Sequence, residues 1–223
     1  MKKTVHKTKY LWITLLCFGA FMLELLSIFG IESALLGVDV GHYTAAQRSV
    51  HSLITAGLWA VFMAVMVGWT RRSDGFPEHV DKSARIPARD WAFALVCLAG
   101  CKVMTFMDWH TLKVIGEAQN KDAFQFLAQY IYYLLEVGLV LLIIIYGQKA
   151  VETLLKRKSG VPFGGILLAL TWGAFHFVSR GAGLELWNGV SCMIFSILSG
   201  FMYLKVGRRL LYSYILIAVG YLL

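Results

Sequence analysis

The sequence predicts an all-α, polytopic transmembrane bundle of about seven membrane segments, built as a single domain (residues 1–223) with its N-terminus inside. Three observations predict it. Hydrophobic residues make up 58% of the 223 residues, against about 45–50% in a soluble domain. Only 15% are Asp, Glu, Lys or Arg, against about 25%. The apolar residues also fall into runs near the roughly 20 residues that a crossing helix needs. A mean hydropathy of +0.66 excludes a disordered chain and leaves too little polar surface for an ordinary soluble enzyme.

The first run, 10–30, follows a basic flank. It is longer than the apolar core of a signal peptide, about 7–15 residues, and has no clear cleavage motif, so it reads as the first span. The second, 53–70, stops at Arg71 and Arg72. Residues 71–90 carry nine charges together with Pro77 and Pro87, and form a charged inner loop. The third span is 91–107, with Lys102 placed to extend its amine toward the interface. The fourth is 123–147, and the fifth, 161–178, opens at Pro162, where a missing N–H costs least. The sixth is 186–204. The last, 210–223, has 14 residues, which is short for a crossing, so it ends within the bilayer or leans on its neighbours.

Charge placement orients the bundle. Sixteen of 21 basic residues fall in four clusters: Lys2, Lys3, Lys7 and Lys9; Arg71, Arg72, Lys82, Arg85 and Arg89; Lys149, Lys156, Arg157 and Lys158; and Lys205, Arg208 and Arg209. With the N-terminus inside, all four lie on one side, and the opposite loops hold only Arg48, Lys113, Lys121 and Arg180. The expected location is the cell membrane, multi-pass, with the N-terminus cytoplasmic. Trp69, Trp91, Trp109 and Trp187 stand at or beside span ends, as interfacial aromatics do. The net charge of +8 is therefore a membrane signature, and its clustering does not form the continuous basic face that nucleic acid requires. The first expected partner is the lipid bilayer.

The four cysteines, Cys17, Cys97, Cys101 and Cys192, lie inside apolar runs and read as packing residues. Cys97 and Cys101 share a face without a His or a second Cys pair. Asp108 and His110 are two ligand types without further ligands, so no metal site is assigned. The cofactor is unknown: no phosphate loop, HExxH, GxSxG or CxxC is present.

An ionisable group at mid-bilayer costs about 2.5–3.5 kcal/mol, so such groups face a bundle interior or a wet cavity. Glu136 lies midway along the fourth span, with Gln125, Gln129 and Tyr132 at i−11, i−7 and i−4 on one polar stripe. Either interhelical hydrogen bonding or work as a general base accounts for it. On the fifth span, Gly165, Ala169 and Gly173 form a small-xxx-small series that lets a neighbour approach closely. His176 follows, with Trp172 four residues before it. Glu24 shares a face with Cys17, Ala20 and Ser27 and reads as a second buried acid.

Residues 161–176, ending in Trp172-xxx-His176, and the later Gly200-Phe-Met-Tyr203-Leu resemble the second half of the CPBP family, the CAAX-type and bacteriocin-processing intramembrane endopeptidases. The resemblance implies a helical bundle carrying EExxxR, FxxxH and a late HxxxN motif. Trp172-xxx-His176 resembles FxxxH, and Glu136 falls where the acidic motif sits. Leu135 and Val137 flank Glu136, Val140 stands four residues on, and residues 210–223 contain neither His nor Asn. The resemblance implies that Glu136 activates water and His176 assists, on a membrane-bound peptide or protein; the polar positions read from the residues themselves, Glu24, Gln125, Gln129 and Tyr132, with Trp172, are the expected cavity lining. The unfilled motif positions imply weakened or absent catalysis. Two other readings stand beside it: a non-enzymatic accessory, immunity or scaffold protein, and a proton-linked transporter using Glu24 and Glu136. No internal repeat supports the last.

Overall fold

In lipid, a backbone has no solvent to bond, so apolar runs close their hydrogen bonds locally as helices. The computed structural model describes residues 8–74, 85–119, 121–179 and 183–223, and all regular structure among them is helical. Of the residues singled out above, Lys2, Lys3, Lys7, Pro77, Lys82 and Arg180 lie outside this set.

The helices are α1 (Lys9–Leu35), α2 (Ala45–Asp74), α3 (Ala88–Trp109), α4 (Lys113–Ala118), α5 (Ala123–Leu155), α6 (Phe163–Gly173), α7 (Leu186–Lys205) and α8 (Leu210–Leu222). The protein is membrane-embedded: large side chains such as Phe29, Val61, Val65, Val96 and Leu170 are exposed on its flanks, where water would exclude them.

Five helical stretches are long and apolar enough to cross a membrane, fewer than the seven expected. The expected fifth span, 161–178, contracts to α6. It consists of a six-residue α-helix and a five-residue π turn, Ala169–Gly173. Beyond it the chain tightens, with the amides of His176, Phe177 and Val178 each bonding three residues back. Helix α8 has 13 residues, about 20 Å of rise, against a hydrocarbon core of about 30 Å. By contrast, α5 runs eight residues past its expected end. Its polar residues Gln148 and Glu152 are buried and bonded, so they continue the helix until Lys156 turns left-handed (φ 54°).

Helix α5 is the axis of the fold, packed by α1, α2, α6 and α8. From Glu136 to Gln148 every residue except Gly138 is buried, the pattern of a helix enclosed on all sides. Helix α6 wedges between α5 and α7. A methyl group on Gly165 would lie 2.7 Å from the Ser196 carbonyl, and one on Gly200 would lie 2.7 Å from Gly165 Cα. The small-xxx-small series therefore serves close backbone approach.

One polar node ties the α5–α6 and α7–α8 connections to α5. Arg208 donates two bonds to the Glu152 carboxylate (2.7 and 2.6 Å) and one to the Ser159 carbonyl (3.1 Å). Gln148 donates to Glu152 (2.9 Å) and accepts from the Gly164 amide (3.0 Å). Arg208, outside the helices, has its pKa raised further by the Glu152 bonds. It adopts φ 61° to reach them.

Candidate functional site

Helix α5 presents Glu136 toward α6 and α8. The π turn of α6 carries Trp172, whose Nε1–H donates to Glu136 Oε1 (3.1 Å). Tyr221 of α8 donates its hydroxyl to Oε2 (2.7 Å). Both carboxylate oxygens are thus engaged, and the residue is buried. Two hydrogen bonds, each about 0.5–1.5 kcal/mol, offset part of the insertion cost of about 2.5–3.5 kcal/mol.

His176 stands on the other side of the same tryptophan. Its Nδ1–H donates to the Trp172 carbonyl (2.7 Å), and its ring centroid is 4.3 Å from the indole. Because a carbonyl only accepts, this bond sets the proton on Nδ1. Asn188 Nδ2 donates to the His176 carbonyl (2.9 Å), pinning the unwound end of α6 to α7.

A cavity of about 250 Å³ lies where α3 ends, α4 runs and α7 begins. His176, Asp108, Lys113, Asn188, Ser191 and Thr105 supply its polar lining, and Trp172 and Tyr221 form its wall. Glu136 sits behind that wall. Lys113 is buried with its ammonium over two rings, 4.3 Å from the Tyr133 centroid and 4.1 Å from that of Tyr221. Asp108 accepts the Trp187 indole N–H.

The other lining residues expected from the sequence lie away from this cavity, and among them Tyr132 and Glu24 bond each other. Gln125 completes a capping box with Asp122 at the start of α5. Gln129 lies beside Tyr133. Tyr132 packs on Trp59 (4.6 Å). Glu24 is half-exposed and bonds His51 (3.3 Å). None of these four lines the cavity. His110 ends α3 with φ 52°. Cys17, Cys97 and Cys101 are buried, and Cys101 and Cys192 line the cavity as free thiols. Lys102 Nζ is enclosed without a hydrogen-bond partner among the described residues, rather than extended to the interface. No group of three or more His, Cys, Asp or Glu able to hold a metal occurs among the described residues.

A second polar cluster escaped the sequence reading. Glu32 lies in a ten-residue π stretch, Leu26–Leu35, past the expected end of the first span. It accepts from Ser27 (2.5 Å), His51 (2.8 Å) and the Tyr43 hydroxyl. His51 therefore bridges Glu32 and Glu24. Burial, then the Glu32 carboxylate, pushes the Tyr43 phenol up to about 12, which holds its proton in the bond. The available signal was the eight-residue spacing of Glu24 and Glu32, which puts both on one helical side.

Comparison of the chain with protein-family models, curated proteins and solved structures finds no match in any of the three.

Proposed function

We propose that the chain is a CPBP-type multi-pass protein of the cell membrane, N-terminus cytoplasmic, whose cavity receives a membrane-bound peptide segment without efficient hydrolysis. The engagement of Glu136 carries this reading. Activation of water by a carboxylate needs a water against it. Here Trp172 and Tyr221 occupy both oxygens and stand between Glu136 and the cavity. The motif positions at 135, 137 and 140 are apolar, so no second acid or guanidinium assists.

Several cross-helix contacts support the orientation. Lys9 bonds Ser73 (3.2 Å), Lys149 lies over the Tyr10 ring, and Lys205 bonds Asp90 (2.9 Å). These contacts draw the described basic clusters to one end of the bundle, the end the positive-inside rule assigns to the cytoplasm. Seven segments in alternating directions, with α6 and α8 as short partners, satisfy this arrangement.

A second reading, an active CAAX-type endopeptidase, draws on one observation. His176 lines the cavity and Glu136 is one indole away, so a rotation of Trp172 and Tyr221 brings both to one face. Turnover of a lipid-anchored reporter peptide separates the readings. The first expects background cleavage in wild type and in Glu136→Gln, with a lowered melting midpoint in the variant. Cleavage above background that Glu136→Gln abolishes, with expression unchanged, overturns the first reading and establishes the second.

A further inference from the structure

The cavity beside Trp172 is lined by a cation that the fold leaves unanswered. Lys113 opens α4 and is only 8% exposed. Its ammonium meets the faces of Tyr133 and Tyr221, at 4.3 and 4.1 Å. A ring face attracts the charge but accepts no ordinary hydrogen bond. The two phenol hydroxyls are committed elsewhere, Tyr133 to Glu117 (2.8 Å) and Tyr221 to Glu136 (2.7 Å). The ammonium has no hydrogen-bond or ion-pair partner among the described residues. The open space beside it is the cavity of about 250 Å³.

The acids around Lys113 are engaged with other donors. Glu117 accepts from Tyr133 and Lys121, and Glu136 from Trp172 and Tyr221. Both act on Lys113 only at longer range, beyond ion-pair contact. Asp108, exposed at the rim, accepts from Trp187, and Glu185 does not line the cavity. Lys102, whose Nζ is enclosed without a partner, adds like charge within electrostatic reach of Lys113. Outside the described set, the positions that adjoin the lining in sequence, 120 and 180–182, are Asn, Arg, Gly and Ala, with no acid among them.

A buried charge without a partner is costly, so an occupant that brings an acceptor is favoured. The lining narrows its chemistry. A lone ammonium is a point charge, suited to one monovalent anion rather than to the forked recognition a guanidinium provides. Met104, Trp109, Trp172 and Phe195 make the remaining wall apolar, which suits an anion carried on an apolar body. We infer that this cavity takes the carboxylate of an otherwise apolar ligand, paired with the Lys113 ammonium. The choice of source rests on the function proposed above: the carboxylate is an acidic side chain of the bound segment. A fatty acid carries the same chemistry.

Binding to the full chain in maltoside micelles tests both sources. The peptide pair is acetyl-Leu-Ala-Leu-Glu-Leu-Ala-Leu amide and its Gln counterpart; the lipid pair is dodecanoate and dodecanol. Wild type is expected to prefer the Glu peptide. Lys113→Met is expected to bind it at least about thirtyfold more weakly, the loss that follows truncation of one partner of a buried charged pair. Lys113→Arg keeps the charge and is expected to retain part of the preference. Should Lys113→Met fail to fold, Lys113→Gln takes its place. Equal binding within both pairs, or a preference that survives in Lys113→Met, overturns the inference, while binding of both peptides leaves the proposed function standing. Lys113-dependent binding of dodecanoate over dodecanol, with neither peptide bound, keeps the carboxylate site, assigns it to a lipid and overturns the peptide reading of the function.

Discussion

Glu136 and Glu32 show what a buried acid requires in this protein. Each has its carboxylate engaged by donors from other helices or loops. Removing the acid leaves those donors buried and unsatisfied, at about 1–3 kcal/mol each. Glu32→Ala is therefore expected to cost about 3–5 kcal/mol, the loss typical of one partner removed from a buried pair. Glu32→Gln keeps the shape and is expected to cost less. Thermal melts in detergent measure both, and equal melting of Glu32→Ala and wild type would contradict the assigned bonds. Trp172→Phe removes the indole donor from Glu136 and is expected to cost about 1–2 kcal/mol. Tyr43 adds a pH test. Its folded pKa, about 12, lies above the ordinary phenol value, so the neutral form is the one the fold favours. The Tyr43 contribution is complete below pH 10 and is lost as the pH rises through about 12. Tyr43→Phe is expected to remove that portion of the alkaline loss.

At the scale of elements, α6 is the vulnerable piece. It is too short to hold itself in the membrane and depends on contact with α5 and α7. A methyl group on Gly164 would run into the Ile144 carbonyl, and one on Gly165 into the Ser196 carbonyl and Gly200. Backbone cannot yield as a flexible side chain does, so Gly165→Ala is expected to destabilise by at least about 1–3 kcal/mol. Gly160→Ala, with open space around its position, is the control expected to melt near wild type. The Glu152–Arg208 node makes a second element-level test. Arg208→Ala leaves Glu152 buried without its main partner, at about 3–5 kcal/mol. A double-mutant cycle with Glu152→Gln is expected to give a double variant far less destabilised than the sum of the singles. Additive losses would remove the node from the account.

For the whole molecule, sidedness is the property that links the cavity to function. Single cysteines at Gly41, in the α1–α2 connection, and at Ser159, in the α5–α6 connection, report it in a background without the native thiols. An impermeant maleimide is expected to label the first from outside intact cells and the second only after permeabilisation. The reverse pattern overturns the proposed orientation and places the polar cavity on the cytoplasmic side. The bundle's two ends differ in kind. One collects the basic clusters, and the other holds a polar cavity closed by Trp172 and Tyr221.

The helical class, the membrane setting and positions of the apolar runs were legible in the sequence. They follow from composition and from the need of a backbone in lipid to bond itself. The close approach at Gly165 was legible too, because small residues at helical spacing leave only one use for the surface they make. The polar stripe on α5 was not resolved correctly: Gln125, Tyr132 and Glu136 share a side in the sequence but go to a helix cap, an aromatic contact with Trp59 and a buried bond network. Lengths failed where polar residues found partners. Gln148 and Glu152 extend α5 because Ser159, Gly164 and Arg208 satisfy them from other segments. The same holds for Glu32, whose donors His51 and Tyr43 lie 19 and 11 residues away. A sequence shows the expense of a buried charge; only the tertiary structure supplies the distant donor that makes the burial tolerable.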